Sequence, residues 1–206
     1  MYGNGICFIT DRTYSALPLP DMVRRVLEAG VTFVQYRDKG KTRREIYEEA
    51  VALRDLTRSF HAVFIVNDHP DIALAVDADG VHLGQDDLPL EEARRIMGSR
   101  IIGISTHSLV QAREAEAGGA DYIGFGPVFR TTTKDAGFPK GVDILKIITQ
   151  NVHVPVVAIG GIGFDSVAEI MSAGADCIAV ATAICKGDIT ENAARFMRIL
   201  QTIKGR

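Results

Sequence analysis

Two clusters of carboxylates each follow a short apolar segment in the middle of the chain. Residues 64–66 run into Asp68, and residues 80–83 run into Asp87. The intervening residues 71–76 have the pattern of a short helix, and two parallel strands joined by a helix end at the same edge of a sheet. Carboxylates gathered at one edge are hard oxygen ligands, which suit Mg²⁺ held against the phosphates of a substrate.

A purely structural explanation of the same carboxylates remains open. Asp68 stands two residues before Pro70, and Asp87 stands two residues before Pro89. A short acidic side chain ahead of a first-turn proline is a common helix start, so each aspartate could simply cap the helix that follows. The rest of the chain has to decide between capping and metal binding.

Length and composition indicate an ordinary globular protein. The chain has 206 residues, of which 47% are apolar and 24% are charged, and its net charge is −3. This length suits one domain, 1–206, with a sizeable core. Charges of both signs are spread along the chain without a basic block, which argues against a nucleic-acid partner. No apolar run reaches the length of a membrane span, so no membrane association is expected.

The cysteines and the first residues predict a cytoplasmic protein. Cys7, Cys177 and Cys185 are odd in number and show no Cys-x-x-Cys spacing. This pattern indicates reduced thiols rather than a set of disulfides or a zinc site. The N-terminus lacks the charged and apolar regions of a signal peptide. None of these features gives the oligomeric state, and a homodimer is left open.

Strand and helix patterns alternate eight times along the chain. The predicted strands are 6–10, 32–37, 63–66, 80–83, 101–104, 121–125, 156–159 and 177–180. The predicted helices are 20–29, 42–60, 71–76, 89–97, 109–117, 142–150, 166–173 and 189–203. Eight such units in about 200 residues predict an α/β fold, a single-domain (β/α)8 TIM barrel. The rival is an open sheet, which usually has fewer strands, and no Gly-x-Gly-x-x-Gly follows the first strand here.

Polar residues collect at the C-terminal ends of the predicted strands, where the active site of such a barrel lies. The opposite ends carry mainly glycine and alanine joints. Folding alone does not require polar residues to collect at one end of the barrel, so the set as a whole favours a functional site there. The set comprises Gln35, Arg37, Lys39, Asn67, Asp68, Gln85, Asp87, Ser105, Thr106, His107, Thr131, Thr133, Lys134, Gly160, Gly161 and Thr182.

Basic side chains and carboxylates occur together in this set. Arg37 and Lys39 lie two residues apart on one strand and point to the same face, so both can reach one ligand. Together with Lys134 they could simply neutralise Asp68 and Asp87. The alternative is a phosphate chain that is bound by cations on one side and by carboxylate-held Mg²⁺ on the other.

Small residues after the last two strands predict a second phosphate site. Residues 160–163 are rich in glycine, and residues 181–183 are small. Glycine lets backbone N–H groups approach an anion, and many barrels bind phosphate in this corner. The long polar loop 127–137 has the character of a lid that closes over a substrate, although an ordinary surface loop would look the same.

Seven motifs occur in order along the chain: Gln35-x-Arg37-x-Lys39, Val66-Asn67-Asp68, DGVHLGQDD at 79–87, Ser105-Thr106-His107, GFGPVF at 124–129, Thr131-x-Thr133-Lys134 and IGGI at 159–162. With these motifs the chain closely resembles the thiamine-phosphate synthase family, and the resemblance extends from residue 8 to residue 184. One motif would be weak, whereas seven in order are specific. The resemblance implies a transferase that joins a pyrimidine methyl pyrophosphate to a thiazole phosphate, forming thiamine monophosphate and releasing pyrophosphate.

The same resemblance implies a role for each matching residue. Mg²⁺ would bind Asp68 and Asp87. The implied catalytic residues, which would lie against the pyrophosphate, are Arg37, Lys39, Ser105 and Lys134, with Asn67 nearby. The pyrimidine ring would meet Gln35, with His82 close to it. The residues implied for the thiazole phosphate are Thr131, Thr133, Gly161, Ala181 and Thr182.

Three positions depart from the family pattern. Arg130 stands where proline is common, Thr182 where serine is common, and Asp86 where glutamate is frequent. None of them removes an implied ligand. The rival functions are a thiazole tautomerase, a non-catalytic binder of thiamine precursors and a sugar-phosphate epimerase. The tautomerase should lack part of the cationic and Asn-Asp motifs, and the other two leave the pyrophosphate-binding groups without a purpose.

Overall fold

Residues 4–131 and 138–205 are described by a computed structural model, and their strands form a closed parallel barrel in which each strand pairs with the next and β8 pairs with β1. The predicted (β/α)8 fold is therefore confirmed. The strands are β1 Ile6–Ile9, β2 Phe33–Tyr36, β3 Val63–Asn67, β4 Gly80–Leu83, β5 Ile101–Thr106, β6 Tyr122–Phe125, β7 Val156–Ile159 and β8 Cys177–Val180.

The helices surround the barrel in the order expected for repeated strand–helix units. They are α1 Leu19–Glu28, α2 Arg43–Ser59, α3 Pro70–Ala75, α4 Leu90–Met97, α5 Leu109–Ala117, α6 Val142–Thr149, α7 Val167–Ser172, α8 Thr182–Cys185 and α9 Ile189–Lys204. Predicted bounds agree with these to within two residues. The short helix α8 and two single 3₁₀ turns, 12–14 and 164–166, were not predicted, because three or four residues carry no detectable period.

Side chains alternate between the inside and the outside of the barrel, as the two-residue period of a strand requires. In β1, Cys7 and Ile9 point into the barrel, whereas Ile6 and Phe8 pack against the helices. Fewer buried apolar side chains pack inside the barrel than between the strands and the helices, which is typical of a barrel that its helices cover completely. Within the described residues, no helix is both long and apolar enough to cross a bilayer.

Three aspartates fasten the N-terminal end of the barrel. Asp79, Asp121 and Asp176 each stand just before an even-numbered strand, in the helix-to-strand joints. Each carboxylate accepts a backbone N–H from the preceding strand, at 2.7, 2.8 and 2.9 Å respectively, and each aspartate N–H donates to the carbonyl of the same partner. The partners are Phe64 in β3, Ile102 in β5 and Val156 in β7. Arg54 and Arg94 add ion pairs to the first two aspartates.

Candidate active site

The strand period places four polar side chains inside the C-terminal mouth of the barrel. Gln35 follows the inward-pointing Phe33 by two residues, and Asn67 follows the inward-pointing Ile65 in the same way. Asn67 pairs in register with His82. Ser105 lies two residues beyond Gly103, which is the partner of His82 on the other side. Four of the predicted site residues are thus neighbours on adjacent strands.

Arg37 is held at the rim by a residue that the sequence did not single out. Thr10 is 3% exposed, and its hydroxyl accepts the N–H of Arg37 at 2.9 Å and donates to its carbonyl at 3.1 Å. This pair of bonds fixes the backbone from which the guanidinium projects. Lys39 lies farther out with its side chain 63% exposed, and its Nζ is 3.9 Å from a carboxylate oxygen of Asp68. Such an exposed pair contributes little to stability, so neutralisation is a weak explanation for it.

Asp68 and Asp87 come together at the ends of β3 and β4, as predicted. Their carboxylates are close enough to affect each other's ionisation, and Asp68 is half-buried. Burial and the neighbouring carboxylate raise the pKa of Asp68 to about 6, whereas Lys39 and Arg37 oppose this shift. These two neighbouring carboxylates, of which Asp68 has a raised pKa, form a place where a cation would be bound favourably.

The capping explanation of these aspartates is wrong. Helix α3 begins after His69 and helix α4 begins after Pro89, and neither helix has a side-chain capping bond. The carboxylate of Asp87 instead accepts the N–H of Gly84 at 2.6 Å, which points it back toward the barrel. Neither carboxylate is used to cap a helix, and both lie just beyond the C-terminal ends of β3 and β4.

His82 lies beneath the mouth and is uncharged at neutral pH. Its ring is 8% exposed, and burial lowers the pKa of His82 to about 4, with Asp87 opposing the shift. Nε2 is 2.8 Å from the hydroxyl of Ser105, and Nδ1 is 2.9 Å from the hydroxyl of Tyr122. A cavity of about 20 Å³ below the mouth touches this ring and the Gln35 side chain, and it is large enough for about one water molecule. The substrate site therefore lies above these residues.

The second half of the mouth is built from backbone. Gly160 and Gly161 have φ of 101° and 64°, which is the left-handed region that glycine adopts without strain. The carbonyl of Gly160 accepts the N–H of Phe129, so the start of the predicted lid runs alongside this turn. A Cβ atom on Gly161 would come 2.4 Å from the carbonyl oxygen of Arg130, so no larger residue fits.

The remaining predicted residues are placed as follows. Ala181 immediately precedes α8, Thr182 begins it, and both are partly exposed beside the end of β8. Thr131 is partly exposed where the described part of the lid ends. Thr133 and Lys134 lie outside the described residues.

Two other polar residues from the predicted set have structural contacts. Gln85 donates its side-chain amide to the carbonyl of Ser105 at 2.6 Å. His107 Nδ1 lies 2.6 Å from the carbonyl of Gly126. Thr10 and Tyr122 were missed because each sits at or in an apolar strand, where threonine and tyrosine are ordinary residues.

The carboxylate pair fits Mg²⁺ better than it fits a softer metal. Among the described residues, no group of three or more His, Cys, Asp or Glu side chains could hold a metal ion. A structural zinc site would need four such ligands. Mg²⁺ is commonly bound by one or two carboxylates, with water and substrate phosphates completing its octahedron.

Comparisons with known proteins identify the family of the chain. The profile of the thiamine monophosphate synthase family matches residues 6–184. The thiamine-phosphate synthase of Chloroflexus aurantiacus is 51% identical over 185 residues, covering 87% of this chain and 86% of that protein. The thiamine phosphate pyrophosphorylase structure from Pyrococcus furiosus has a TM-score of 0.91 and 43% identity, covering 97% of this chain and 96% of that one. The chain therefore belongs to the thiamine monophosphate synthase family of transferases.

Proposed function

We propose that this protein joins 4-amino-2-methyl-5-hydroxymethylpyrimidine pyrophosphate to hydroxyethylthiazole phosphate, giving thiamine monophosphate and pyrophosphate. The observation that carries the proposal is the cluster in which the carboxylates of Asp68 and Asp87 lie beside the cations Arg37 and Lys39. A tautomerase or a sugar-phosphate enzyme handles one monophosphate and has no use for such an arrangement. A pyrophosphate bound together with a divalent cation needs both kinds of group: carboxylates that hold the cation and cationic side chains that bind the phosphate oxygens.

Asp68 and Asp87 would hold Mg²⁺. The pair is half-buried and its members repel each other when both are ionised, so a divalent cation would relieve the cost of their burial. Bound there, Mg²⁺ would neutralise charge that develops on the departing pyrophosphate. Arg37 and Lys39 would supply hydrogen bonds and positive charge from the end of the neighbouring strand β2.

The reaction needs no protein nucleophile. The C–O bond between the pyrimidine methylene carbon and the pyrophosphate breaks, and its electron pair leaves with the pyrophosphate. The electron-rich aminopyrimidine carries the positive charge until the lone pair of the thiazole nitrogen forms the new C–N bond. Ser105 and Lys134, with Arg37 and Lys39, would bind the leaving group, while Asn67 lies beside it. A closed lid would keep water from reacting with the cation first.

The two organic rings would occupy different parts of the mouth. Gln35 is 4% exposed and its amide both donates and accepts, which suits the ring nitrogen and amino group of an aminopyrimidine. His82 lies close to this position. The thiazole phosphate would bind at the ends of β6, β7 and β8, on the side chains and backbone of Thr131, Thr133, Gly161, Ala181 and Thr182.

The proposal is tested by following pyrophosphate release from the purified protein. We expect release only when both substrates and Mg²⁺ are present, and none when any one is omitted or when EDTA is added. Release from the pyrimidine substrate alone, at the same rate, would indicate a hydrolase that transfers the pyrimidine methyl group to water. Conversion of a thiazole carboxylate phosphate without Mg²⁺ would indicate a tautomerase. The setting we propose for this reaction is the cytoplasm, with small molecules as the partners.

A further inference from the structure

Three polar groups form a hydrogen-bonded chain that leads from the interior of the barrel to its mouth. The hydroxyl of Tyr122 is 2.9 Å from Nδ1 of His82, and Nε2 of the same ring is 2.8 Å from Oγ of Ser105. Tyr122 is 2% exposed and His82 is 8% exposed, whereas Ser105 is partly exposed. This series of hydrogen bonds therefore reaches a ligand in the mouth only through the hydroxyl of Ser105.

Two glycines make the space that this chain occupies. A Cβ atom on Gly103 would lie 2.1 Å from Cζ of Tyr122, and one on Gly124 would lie 3.0 Å from Cε1 of His82. The tyrosine and histidine rings pack at 5.4 Å with a tilt of 32°, and Phe33 packs edge-on against the tyrosine at 5.9 Å. The rings are thus held by close packing, and their hydrogen bonds have little freedom to change partners.

The chemistry of the three groups gives the chain a direction. A neutral imidazole has one ring proton, so one of its nitrogens donates and the other accepts. The phenol of Tyr122 is a more acidic hydroxyl than that of Ser105 and is therefore the stronger donor, so Tyr122 donates to Nδ1 of His82. The ring proton of His82 is then on Nε2, which donates to Oγ of Ser105. The hydroxyl hydrogen of Ser105 is left to point into the mouth.

We propose that Tyr122 is a positioning residue, which sets the tautomer of His82 and thereby makes Ser105 a hydrogen-bond donor toward the departing pyrophosphate. A donor at this point stabilises negative charge, whereas an oxygen lone pair would repel it. The inference rests on the proposed function, since it assumes that pyrophosphate lies against Ser105. Tyr122 itself would not touch the substrate.

The first test measures the tautomer directly, by ¹⁵N NMR of the histidine ring nitrogens at neutral pH without substrates. We expect the Nε2–H form for His82 in the wild type, and a shift toward a mixture of forms in Tyr122→Phe, because Nδ1 loses its donor. Tyr36→Phe is the matched control. It removes another buried phenol hydroxyl, which donates to Glu49 at 2.7 Å outside the barrel, and should leave His82 unchanged. The Nδ1–H form in the wild type would overturn the proposal.

The second test is a double-mutant cycle that uses inorganic pyrophosphate with Mg²⁺ as the probe. Tyr122→Phe should weaken pyrophosphate binding by up to about tenfold, which is less than the loss of a whole hydrogen bond to a charged group because the Ser105 hydroxyl remains. In a Ser105→Ala background the same change should have no further effect, because the tyrosine acts only through the serine. The KM for thiazole phosphate should stay the same. Independent, multiplicative losses in the two variants would overturn the proposal.

Failure of this inference is distinguishable from failure of the proposed function. If the wild type turns over both substrates but Tyr122→Phe changes neither the His82 tautomer nor the coupling to Ser105, the inference is wrong and the function stands. If the wild type neither turns over nor binds pyrophosphate, both are wrong.

Discussion

Asp68 is unfavourable for the stability of the protein in two respects. Its φ of 65° is in the left-handed region, which aspartate tolerates better than most residues but which still has a cost. Its carboxylate is half-buried against Asp87, which raises the pKa of Asp68 to about 6. Residues that are strained and electrostatically costly are concentrated at functional sites. A binding role accounts for both features, whereas a structural role accounts for neither.

Asp68→Asn should abolish Mg²⁺-dependent turnover and stabilise the fold. The folded pKa lies above the unfolded value of 3.8, so the folded state binds more protons, and stability is lost as the pH rises from about 4 to 6. Removing the charge should recover about 1–3 kcal/mol at pH 7.5, and about half of that at pH 5. Asparagine is chosen because it tolerates positive φ. Urea unfolding in EDTA measures the gain.

The control for this substitution is Asp71→Asn. Asp71 is a nearby exposed carboxylate in α3 that pairs with Arg43 on the protein surface. The control should keep full turnover and change the free energy of unfolding only slightly. An Asp68→Asn variant that retained near-normal Mg²⁺-dependent activity would contradict the assignment of Asp68 as a metal ligand.

Metal binding should weaken in mild acid. A proton on the carboxylate pair competes with the cation, and the pKa of Asp68 is about 6. Between pH 7.5 and pH 5.5 the apparent affinity should therefore fall about fourfold. Mn²⁺ can replace Mg²⁺ in an oxygen site, and its free concentration can be followed by electron paramagnetic resonance. An affinity that is the same at both pH values would show that the cation binds elsewhere.

The elements of the barrel divide stability and function between its two ends. At the N-terminal end, Asp79, Asp121 and Asp176 satisfy backbone groups of the preceding strands. At the C-terminal end, carboxylates of similar sequence context face the mouth instead. The same residue type thus satisfies backbone groups at one end and would bind a ligand at the other, and its position relative to the strand decides which.

Asp79→Ala should destabilise the protein more than Asp176→Ala. The Asp79→Ala substitution leaves the N–H of Phe64 without its acceptor. It also leaves Arg54, whose side chain is only 13% exposed, without its ion-pair partner. The second removes the acceptor of one N–H, and among the described residues no arginine pairs with Asp176. We expect losses of about 3 and about 1 kcal/mol respectively, measured by urea unfolding.

Both of these variants should keep their turnover below the unfolding transition, because they lie at the end of the barrel that is remote from the site. Glu91→Ala, which removes an exposed ion pair with Arg95, is the surface control and should change stability by less than about 0.5 kcal/mol. Equal losses for Asp79→Ala and Asp176→Ala would show that the Arg54 ion pair adds nothing.

Closure of the barrel brings distant parts of the chain to one rim. Because β1 pairs with both β2 and β8, the Arg37 side of the mouth and the Thr182 side are separated by a single strand. In the proposed reaction, two negatively charged substrates would meet above the barrel while their phosphates bind at the ends of different strands. Such separation would place the thiazole nitrogen near the pyrimidine carbon without bringing the anions together.

Two substitutions, one in each proposed phosphate-binding region, should raise the KM of different substrates. Arg37→Ala should raise the KM of the pyrimidine pyrophosphate by at least about tenfold, and Gly161→Ala should do the same for the thiazole phosphate. The second effect is expected because alanine at a φ of 64° would collide with the carbonyl of Arg130. The KM of the other substrate should change less than about twofold in each variant. If each variant weakens both substrates equally, the sites are not separate.

Most of the architecture could be predicted from the sequence, because it depends on the spacing of apolar residues within each strand and helix. Alternating strands and helices, glycine at helix ends and small helix-to-strand joints each involve residues close in sequence. Those patterns predicted the barrel, and the rule that parallel strands end at one edge predicted that Asp68 and Asp87 would lie near each other. The motifs were sufficient to identify the family, because seven of them occur in order.

The linear chain left open whether Asp68 and Asp87 cap helices or face the mouth, since both alternatives use the same residue before the same proline. Folding removed that ambiguity, because the direction of a carboxylate depends on backbone angles and on contacts such as the Gly84 N–H. Tyr122 could not be found from sequence for a related reason. Its hydroxyl matters through His82, which is 40 residues away, and closure of the barrel around Gly103 creates the space where the two rings meet.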